Sequence, residues 1–492
     1  MRRSRILSRA FSVAVATACG CALAAVAAST VSAGRSTVKT YKTAGTIPLR
    51  TSMFDPFLYA GSQDAEAFKL TRAAGVTYVR IVVAWSGIAP AATYVGFDAS
   101  DPSSPGYKWS WLDGVVSSAE AAGLTPILDV GSAPAWALSV NAKAPNAGTP
   151  SAKALGEFAT ALATHYDGQD GAPAVHIFQV WNEPNLSLDL APVSPGNYRS
   201  MVNAVAGAVH AVDPANVVIA GGLDPFGHKK TRHAKWYSVA PLAFMRALLC
   251  VSKGAHPHRT CKAKIDFDVW SHHPYTFGGP FGKAKLADDV SLGDLPKMRA
   301  VLKAAKRLHT VVSSHPVQFW VDEFGWDSKP PRRAAAPIGL AARWTAESLY
   351  QMWHSGVSLV TWFDLQDQKS PSPYQSGLYF YAKSLEKARA KPVRTAFRFP
   401  FVAYLGKRAV SIWGRDATSN KRMVTIQRRT GIRGHWRTVA RVRSNRYGIF
   451  KASLRLVATS NDWLRAVAPG SGRSLAFSLT VPHDPHIGPW GT

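Results

Sequence analysis

Acidic residues are scarce in this chain of 492 residues. It holds 30 Asp and Glu against 58 Lys and Arg, so its formal net charge is +28 at pH 7. Only seven of the acidic residues are glutamates, namely Glu66, Glu120, Glu157, Glu183, Glu323, Glu347 and Glu386. General acid–base chemistry at neutral pH often uses such carboxyl groups, so the place of each glutamate in the fold deserves separate consideration.

Cysteine is rarer still, with four in the chain. Cys19 and Cys21 fall in an N-terminal segment where Arg2, Arg3, Arg5 and Arg9 precede an apolar run over 11–28 and small residues at 31–33. This order is typical of a cleaved secretory signal, which we expect over residues 1–33. A single membrane anchor and an acylated lipoprotein are the alternatives. Cleavage of this signal during export would remove Cys19 and Cys21. We expect the two remaining cysteines, Cys250 and Cys261, to form a disulfide.

Long hydrophobic runs are missing beyond that segment. The mean hydropathy is −0.06, which excludes a polytopic membrane protein, and we expect no stable membrane span. A hydrophobic fraction of 47% excludes a disordered chain. The chain is longer than a domain with a single hydrophobic core usually is, so we expect more than one structural unit.

No glycine-rich phosphate-binding fingerprint follows the first predicted strand, which argues against a dinucleotide-binding fold. Instead, apolar β-branched runs alternate with helical segments between about residues 45 and 400. Eight such runs predict parallel strands buried on both faces, and hence a (β/α)8 barrel, with a doubly wound open sheet as the alternative. They cover residues 49–54, 76–84, 124–130, 175–181, 217–222, 265–271, 317–322 and 357–363.

After Pro400 the pattern changes to short strands of alternating polarity separated by turns. Phe450, Ala452 and Leu454 alternate with Lys451 and Ser453, as in a half-buried antiparallel strand. The spacing predicts a small all-β sandwich that resembles an immunoglobulin or fibronectin type III module. We therefore divide the chain into a signal peptide (1–33), a barrel domain (34–400) and an accessory domain (401–492) that we expect to fold separately.

Two glutamates stand apart from the other five because each follows the end of a predicted barrel strand. Glu183 follows the fourth strand and Glu323 the seventh. Active sites of such barrels lie at the carboxyl ends of the strands. A rim ion pair would explain either glutamate alone, but two carboxylates that face one cavity are what glycosidic bond cleavage requires.

The residues around both glutamates resemble a known group of enzymes. The segments WNEPN at 181–185 and DEFGW at 322–326 resemble the signature strands of clan A glycoside hydrolases, retaining (β/α)8 enzymes that include families 39 and 5. Three further segments agree with the clan in barrel order: RIVVAWSGIAP at 80–90, HPY at 273–275 and Trp362 after the eighth strand.

The resemblance implies a role for each matching residue. Glu183 would be the general acid/base and Glu323 the nucleophile of a retaining mechanism. Asn182 would bind the sugar 2-hydroxyl, while Arg80 and Tyr275 would hold Glu323 ionised.

The remaining substrate-binding candidates are aromatic residues and a histidine. Trp362 would stack under the sugar at the cleavage point, and His273 belongs to the same rim motif as Tyr275. Trp85, Trp136 and Trp326 are either sugar-stacking platforms or ordinary packing residues.

We expect no cofactor and no metal. A cluster of His272 and His273 with Asp266 and Asp268 offers no further ligand at metal-binding spacing.

The C-terminal region is strongly basic: residues 401–492 carry sixteen Lys or Arg and three Asp. This excess of positive charge is either a solvated face or a surface that binds an anionic cell-wall polymer. No nucleic-acid recognition motif is present.

The sequence therefore predicts a secreted or cell-wall-associated retaining glycoside hydrolase that acts on a carbohydrate substrate. The alternative is a protein that binds carbohydrate or the cell wall without turnover. We expect the accessory domain to be dispensable for small substrates.

Overall fold

Eight parallel strands close into a barrel, in the order in which they occur along the chain. The computed structural model describes residues 38–43, 47–140, 148–169, 171–231, 235–370, 372, 374–418, 421–482 and 485–488. The expected signal peptide, with Cys19 and Cys21, lies outside the described residues. The barrel strands are Arg50–Phe54, Tyr78–Ala84, Thr125–Gly131, Ile177–Val180, Val217–Leu223, Val269–His272, Gln318–Val321 and Leu359–Phe363.

The barrel interior is packed by alternate residues of these strands, because successive side chains of a strand point to opposite faces. Six of the strands contribute one apolar residue each to a single internal cluster. The cluster consists of Ile127, Ile177, Ile219, Val269, Trp320 and Leu359. The sequence prediction of a barrel is thus confirmed.

One predicted strand is divided in the structure. The sixth apolar run, at 265–271, was expected to be a single strand, but Ile265–Asp266 pairs with Val311–Val312 outside the barrel. The barrel strand begins only at Val269. Between them, the buried carboxylate of Asp268 accepts hydrogen bonds from the backbone N–H of Val218 and from His210. These bonds anchor the chain at the amino end of the barrel.

Helices surround the barrel strands. The helix Pro195–Val212 begins with proline at its first position and is capped by Ser194, whose hydroxyl accepts from the backbone N–H of Asn197. The α-helices are Pro56–Tyr59, Asp64–Ala73, Trp85–Ile88, Ser110–Ala121, Ala152–His165, Pro195–Val212, Pro241–Leu249, Leu295–Arg307, Ile338–His354 and Pro392–Arg398. Single 3-10 turns lie at Ala135–Ala137, Leu292–Asp294 and Leu385–Lys387. Two short strand pairs, Leu138–Val140 with Thr149–Pro150 and Ser328–Lys329 with Ala336–Pro337, lie outside the barrel.

Cys250 and Cys261 form a disulfide, as the sequence predicted. Cys250 directly follows the helix Pro241–Leu249 and has a left-handed backbone conformation with a φ of 54°. The bond therefore closes a short loop between this helix and the strand Ile265–Asp266.

The C-terminal region folds as two sheets, in agreement with the predicted β-sandwich. Antiparallel strands Phe401–Leu405, Val410–Arg415 and Ile449–Leu454 form one sheet. The other contains Met423–Thr430, Arg437–Arg443, Asp462–Ala468, Gly472–Arg473 and Phe477–Ser478. The strand Thr40–Lys42, near the start of the described chain, pairs with Arg437–Arg443 in this second sheet.

The sandwich packs closely against the barrel. Tyr350 and Trp353, on the helix Ile338–His354, each lie with their ring centroids 5.5 Å from that of Trp413 in the sandwich. Arg343 of the same helix lies 3.9 Å from the ring of Phe477. Residues Val38–Thr492 form one compact unit. This packing argues against separate folding of residues 401–492, although the division at residue 400 itself stays a prediction.

Within the described ranges, no helix combines the length and the apolar character needed to cross a membrane.

Candidate active site

Glu183 lies in a tight turn after the fourth barrel strand. Trp181 and Glu183 both have left-handed backbone conformations, with φ angles of 67° and 39°. Such conformations are costly for residues other than glycine and persist where the surrounding structure imposes them. Here the backbone N–H of Glu183 donates to the carbonyl of Gly222, at 3.0 Å, on the fifth strand. The turn places the Glu183 side chain, which is 17% exposed, at the barrel mouth.

Glu323 follows the seventh strand, and each of its carboxylate oxygens accepts a hydrogen bond. Arg80 Nη1 donates to Glu323 Oε2 at 2.9 Å, and the Tyr275 hydroxyl donates to Oε1 at 3.0 Å. The Glu323 side chain is 15% exposed, so the carboxylate remains accessible from the mouth. Two donors on one carboxylate fix its orientation, and the bond from Arg80 is strengthened by charge.

Arg80, on the second strand, links the two glutamate turns. Its Nη2 donates to Asp129 Oδ2 on the third strand and to Asn182 Oδ1 beside Glu183, both at 2.7 Å. Burial lowers the pKa of Arg80, but Asp129 and Glu323 outweigh burial and raise the pKa above its ordinary value. Arg80 is therefore a permanent cation that holds Asn182 and Glu323 around one centre.

His273 is the group that holds Glu183. Its Nδ1 lies 2.8 Å from Glu183 Oε1, and its Nε2 lies 3.5 Å from Asp322 Oδ2. Burial lowers the pKa of His273, but the charges of Asp322 and Glu323 raise it well above 6.5. Burial likewise raises the pKa of Asp322, yet His273 and Arg80 bring it down to about 2. The pair is therefore an imidazolium with a carboxylate, and Nδ1 donates its proton to Glu183.

Gly222 makes room for this pair. It has a φ of +58°, and a Cβ built on it would lie 2.9 Å from Asp322 Oδ2. Both the backbone conformation and the close approach require glycine at this position.

Three further carboxylates lie in the site. From the sequence, Asp129 at the end of the third strand could either contact a distal sugar or cap a loop, and the structure shows it bound to Arg80. Asp322 and Asp189 had no predicted role: Asp322 could have been noticed because it stands at a strand end, whereas Asp189 lies in a loop without any motif. Asn182 Nδ2 donates to Asp189 Oδ1 at 3.2 Å. Burial, followed by the charge of Glu183, raises the pKa of Asp189 to about 7. This carboxyl group thus titrates near neutrality beside Glu183.

Trp362 does not lie where the sequence predicted. It is fully buried, its Nε1 donates to the carbonyl of Ser376 at 2.8 Å, and its ring packs against Phe397. The reason is strand alternation: Leu359 faces the barrel interior, so Trp362, three residues later, faces the helices. Phe363 takes the inner position instead, with its ring centroid 5.5 Å from that of Phe54.

Of the other three tryptophans, Trp85 and Trp326 are packing residues. Trp85 is fully buried and stacked on Phe158. Trp326 is 1% exposed and donates to the hydroxyl of Ser348. Trp136 is half-buried, lies edge-on to Trp85 and donates to a backbone carbonyl. The structure thus decides the open alternative in favour of packing for Trp85 and Trp326.

A (β/α)8 barrel defines a class of enzyme when glutamates follow its fourth and seventh strands and one arginine binds Glu323 and the neighbour of Glu183, Asn182. The protein is a retaining glycosidase of clan A. It belongs to the cellulase family, glycosyl hydrolase family 5, whose family model matches residues 38–347.

Solved structures of glycoside hydrolases share the fold. A family 39 enzyme from Xanthomonas axonopodis pv. citri is 16% identical with a TM-score of 0.51, over 87% of this chain and 96% of its own. A monomeric beta-xylosidase from Caulobacter crescentus CB15 is 15% identical with a TM-score of 0.51, over 87% and 98%. A family 39 glycoside hydrolase from Bacteroides cellulosilyticus WH2 is 16% identical with a TM-score of 0.50, over 86% and 81%. No curated protein sequence matches the chain.

Proposed function

We propose that the enzyme cleaves O-glycosidic bonds of an oligo- or polysaccharide by double displacement, with Glu323 as nucleophile and Glu183 as acid/base. The observation that carries this division is the difference in hydrogen-bond donors. Arg80 and Tyr275 both donate to Glu323, whereas among the described residues only His273 binds Glu183, through one of its two carboxylate oxygens. The free oxygen of Glu183 is then available to donate a proton to substrate.

In the first step, Glu323 attacks the anomeric carbon and forms a glycosyl ester. The bond to the leaving oxygen breaks as Glu183 gives that oxygen its proton. In the second step, Glu183 takes a proton from water, the water oxygen bonds to the anomeric carbon, and Glu323 is released as a carboxylate. Two inversions at the same carbon retain its configuration. Arg80 and Tyr275 orient Glu323 throughout, and Asn182 offers an amide beside the sugar.

The test uses the opposite stereochemistry of azide rescue in the two variants. We expect Glu323→Ala and Glu183→Ala each to reduce turnover of an aryl glycoside by several orders of magnitude while both remain folded. With azide, Glu323→Ala should give a glycosyl azide of inverted configuration, and Glu183→Ala one of retained configuration. The exposed Glu386→Gln is the matched control and should keep wild-type activity. Exchanged configurations would reverse the roles, and unchanged activity in either variant would remove the assignment.

We also propose that the enzyme is exported, and that its basic sandwich holds it near an anionic cell-wall polymer. The disulfide between Cys250 and Cys261 supports an oxidising compartment. On the sandwich, Arg429 and Arg465 both stack on Trp436, at 4.9 and 4.1 Å from its ring. A mature N-terminus near residue 34, found by sequencing secreted protein, would support export. Sedimentation with purified walls should weaken as salt rises, and binding that ignores salt would reject the polymer.

A further inference from the structure

A cavity of about 440 Å³ lies at the same edge of the barrel as the catalytic glutamates. Its walls come from the loops that follow the fifth and sixth strands, and include Phe226 and Phe277. In the barrel these two strands lie between the fourth, which carries Glu183, and the seventh, which carries Glu323. Phe277 is two residues beyond Tyr275, a partner of Glu323. The cavity therefore lies beside the mouth, on loops that neighbour those of the glutamates.

The cavity belongs to the Glu183 side of the mouth. Asn185, two residues after Glu183, donates through Nδ2 to the carbonyl of Asp224, at 3.0 Å. The backbone N–H of Asp224 in turn donates to Asn185 Oδ1 at 2.9 Å. Phe226 follows two residues later. Because Glu183 protonates the leaving oxygen in the proposed mechanism, a sugar in this cavity lies on the leaving-group side of the cleaved bond.

The walls offer aromatic faces. The ring centroids of Phe226 and Phe277 are 5.6 Å apart, with an angle of 52° between the planes. His486, close to the C-terminus, stacks on the other side of this group, 5.9 Å from Phe277 at 24°. The backbone N–H of Gly278 donates to the carbonyl of Ile487 at 3.1 Å, which fixes the C-terminal segment here. His486 thus forms part of the cavity wall.

The cavity also carries positive charge. Lys283 and Lys285 line it and are exposed. Among the described residues, no ion pair involves either of them. Asp288 is paired with Arg246 at 2.7 Å and does not line the cavity. Asp289 does line the cavity, but it is buried and its carboxylate accepts the backbone N–H of Gly227 at 2.8 Å. With two lysines against this one carboxylate, the cavity lining keeps an excess of positive charge.

We propose that this cavity binds a uronic acid residue of the substrate, on the leaving-group side of the cleaved bond. The proposal rests on the proposed function and adds the substrate class. A uronate has both features that the walls complement: an apolar ring face for Phe226 or Phe277 and a carboxylate for Lys283 and Lys285. The enzyme would thus act on an acidic polysaccharide rather than on a neutral glucan.

The test measures binding of single sugars, so that it does not depend on the unknown linkage. Methyl glucuronoside and methyl glucoside are titrated against the Glu183→Gln variant by ligand-observed NMR. We expect the glucuronoside to bind about fivefold more tightly at low salt, an effect of the size that exposed ion pairs give. Lys283→Met with Lys285→Met should abolish this preference. Lys303→Met with Lys306→Met, on the exposed face of Leu295–Arg307, removes the same charge and should preserve it.

Equal binding of the two glycosides by the parent protein would overturn the proposal, as would a preference that survives in the Lys283/Lys285 variant. Equally tight binding of a glucoside 6-sulfate would reject a uronate in favour of a general anion site. The proposed function is judged separately by hydrolysis in the wild type. Normal hydrolysis of aryl glycosides without a uronate preference would refute only the inference, whereas a preference without any hydrolysis would refute only the mechanism.

Discussion

A group of buried, charged side chains lies beside Glu183 and Glu323. His273 and Asp322 are 0% and 3% exposed in their side chains, yet both are ionised at neutral pH. Removing one partner of a buried ion pair leaves the other charge without compensation, which typically costs about 3–5 kcal/mol. We therefore assign to Asp322 the role of a positioning residue that keeps His273 cationic and directed at Glu183.

This assignment predicts a pH dependence of stability. The pKa of Asp322 is about 2 in the folded protein, below the ordinary 3.8, so its contribution is present above about pH 4 and lost toward pH 2. The pKa of His273 is raised above 6.5, so its contribution is complete below pH 6.5 and lost as the pH rises through the raised value. We expect the melting temperature of Asp322→Asn to lie furthest below wild type between about pH 4 and 6.5.

The measurement is thermal unfolding of wild type and Asp322→Asn from pH 2 to pH 9. The difference between their melting temperatures should become smaller toward pH 2. Glu386→Gln, at an exposed carboxylate far from the site in sequence, serves as control and should show no such window. A difference that is constant from pH 2 to 9 would mean that Asp322 acts through packing and not through its charge.

Because Phe363 faces the barrel interior and Trp362 faces the helices, substitutions at these two positions should have different effects. Trp362→Ala should destabilise the fold by about 3–5 kcal/mol, the usual cost of emptying a large buried site, while the folded fraction keeps its kcat. Phe363→Leu should leave stability nearly unchanged and lower kcat/KM about tenfold, because it removes an aromatic face for the sugar. Denaturant unfolding and steady-state kinetics of both variants decide this. If Trp362→Ala lowers kcat and Phe363→Leu does not, the sequence-based prediction that Trp362 stacks under the sugar would be correct.

At the scale of elements, the site depends on where strands end and turns begin. The turn after the fourth strand is tied to the fifth strand by the bond from Glu183 N–H to the Gly222 carbonyl, and both partners of this bond have left-handed backbone conformations. On the outer side, the disulfide secures the segment between the helix Pro241–Leu249 and the sixth barrel strand. Backbone contacts thus hold the mouth together with the side-chain network around Arg80.

The disulfide makes a prediction at this scale. Replacing Cys250 and Cys261 together by Ser should lower the free energy of unfolding by roughly 2–4 kcal/mol, because the open loop gains entropy in the unfolded chain. Activity of the folded variant should be retained, since neither sulfur belongs to the hydrogen-bond network of the site. Denaturant titrations of the oxidised, reduced and double-variant proteins provide the comparison. The reduced wild type should match the variant, and equal stability of all three would contradict the prediction.

At the scale of the whole molecule, the barrel and the sandwich share one apolar core. The helix Ile338–His354 contributes Tyr350 and Trp353 to this core, and the sandwich contributes Trp413. The buried Arg415 of the sandwich donates to the hydroxyl of Thr51 in the first barrel strand at 3.2 Å. These contacts favour a chain that unfolds as one cooperative unit.

We therefore expect a chain that ends at Pro400 to be insoluble or strongly destabilised, in contrast to the dispensability that the sequence suggested. Each large apolar side chain returned to water costs about 1.5–3 kcal/mol, and several of them approach the total stability of a domain. Calorimetry of the full chain should show one transition. A soluble truncated enzyme with wild-type turnover of an aryl glycoside would establish independent domains after all.

Much of this architecture could be predicted because it depends on local patterns. Apolar β-branched runs located the barrel strands to within two or three residues, apart from the divided sixth, because strands buried on both faces tolerate few polar residues. The same pattern failed for Phe401–Leu405 and Thr40–Lys42, whose short segments carry no distinctive periodicity. Their strand character arises from pairing with partners far along the chain.

The sequence by itself determined which glutamates are exceptional, since of the seven only Glu183 and Glu323 follow barrel strands. The cyclic order of parallel strands brings their ends to one mouth. Only the tertiary structure decided which groups pair with each charge. It also decided that Phe363 and not Trp362 faces the barrel interior, and that His486 stacks on Phe277. The physical reason is the range of the interactions. Strand formation and strand order follow from neighbouring residues, whereas pKa values, side-chain facing and cavity walls depend on groups brought together from distant parts of the chain.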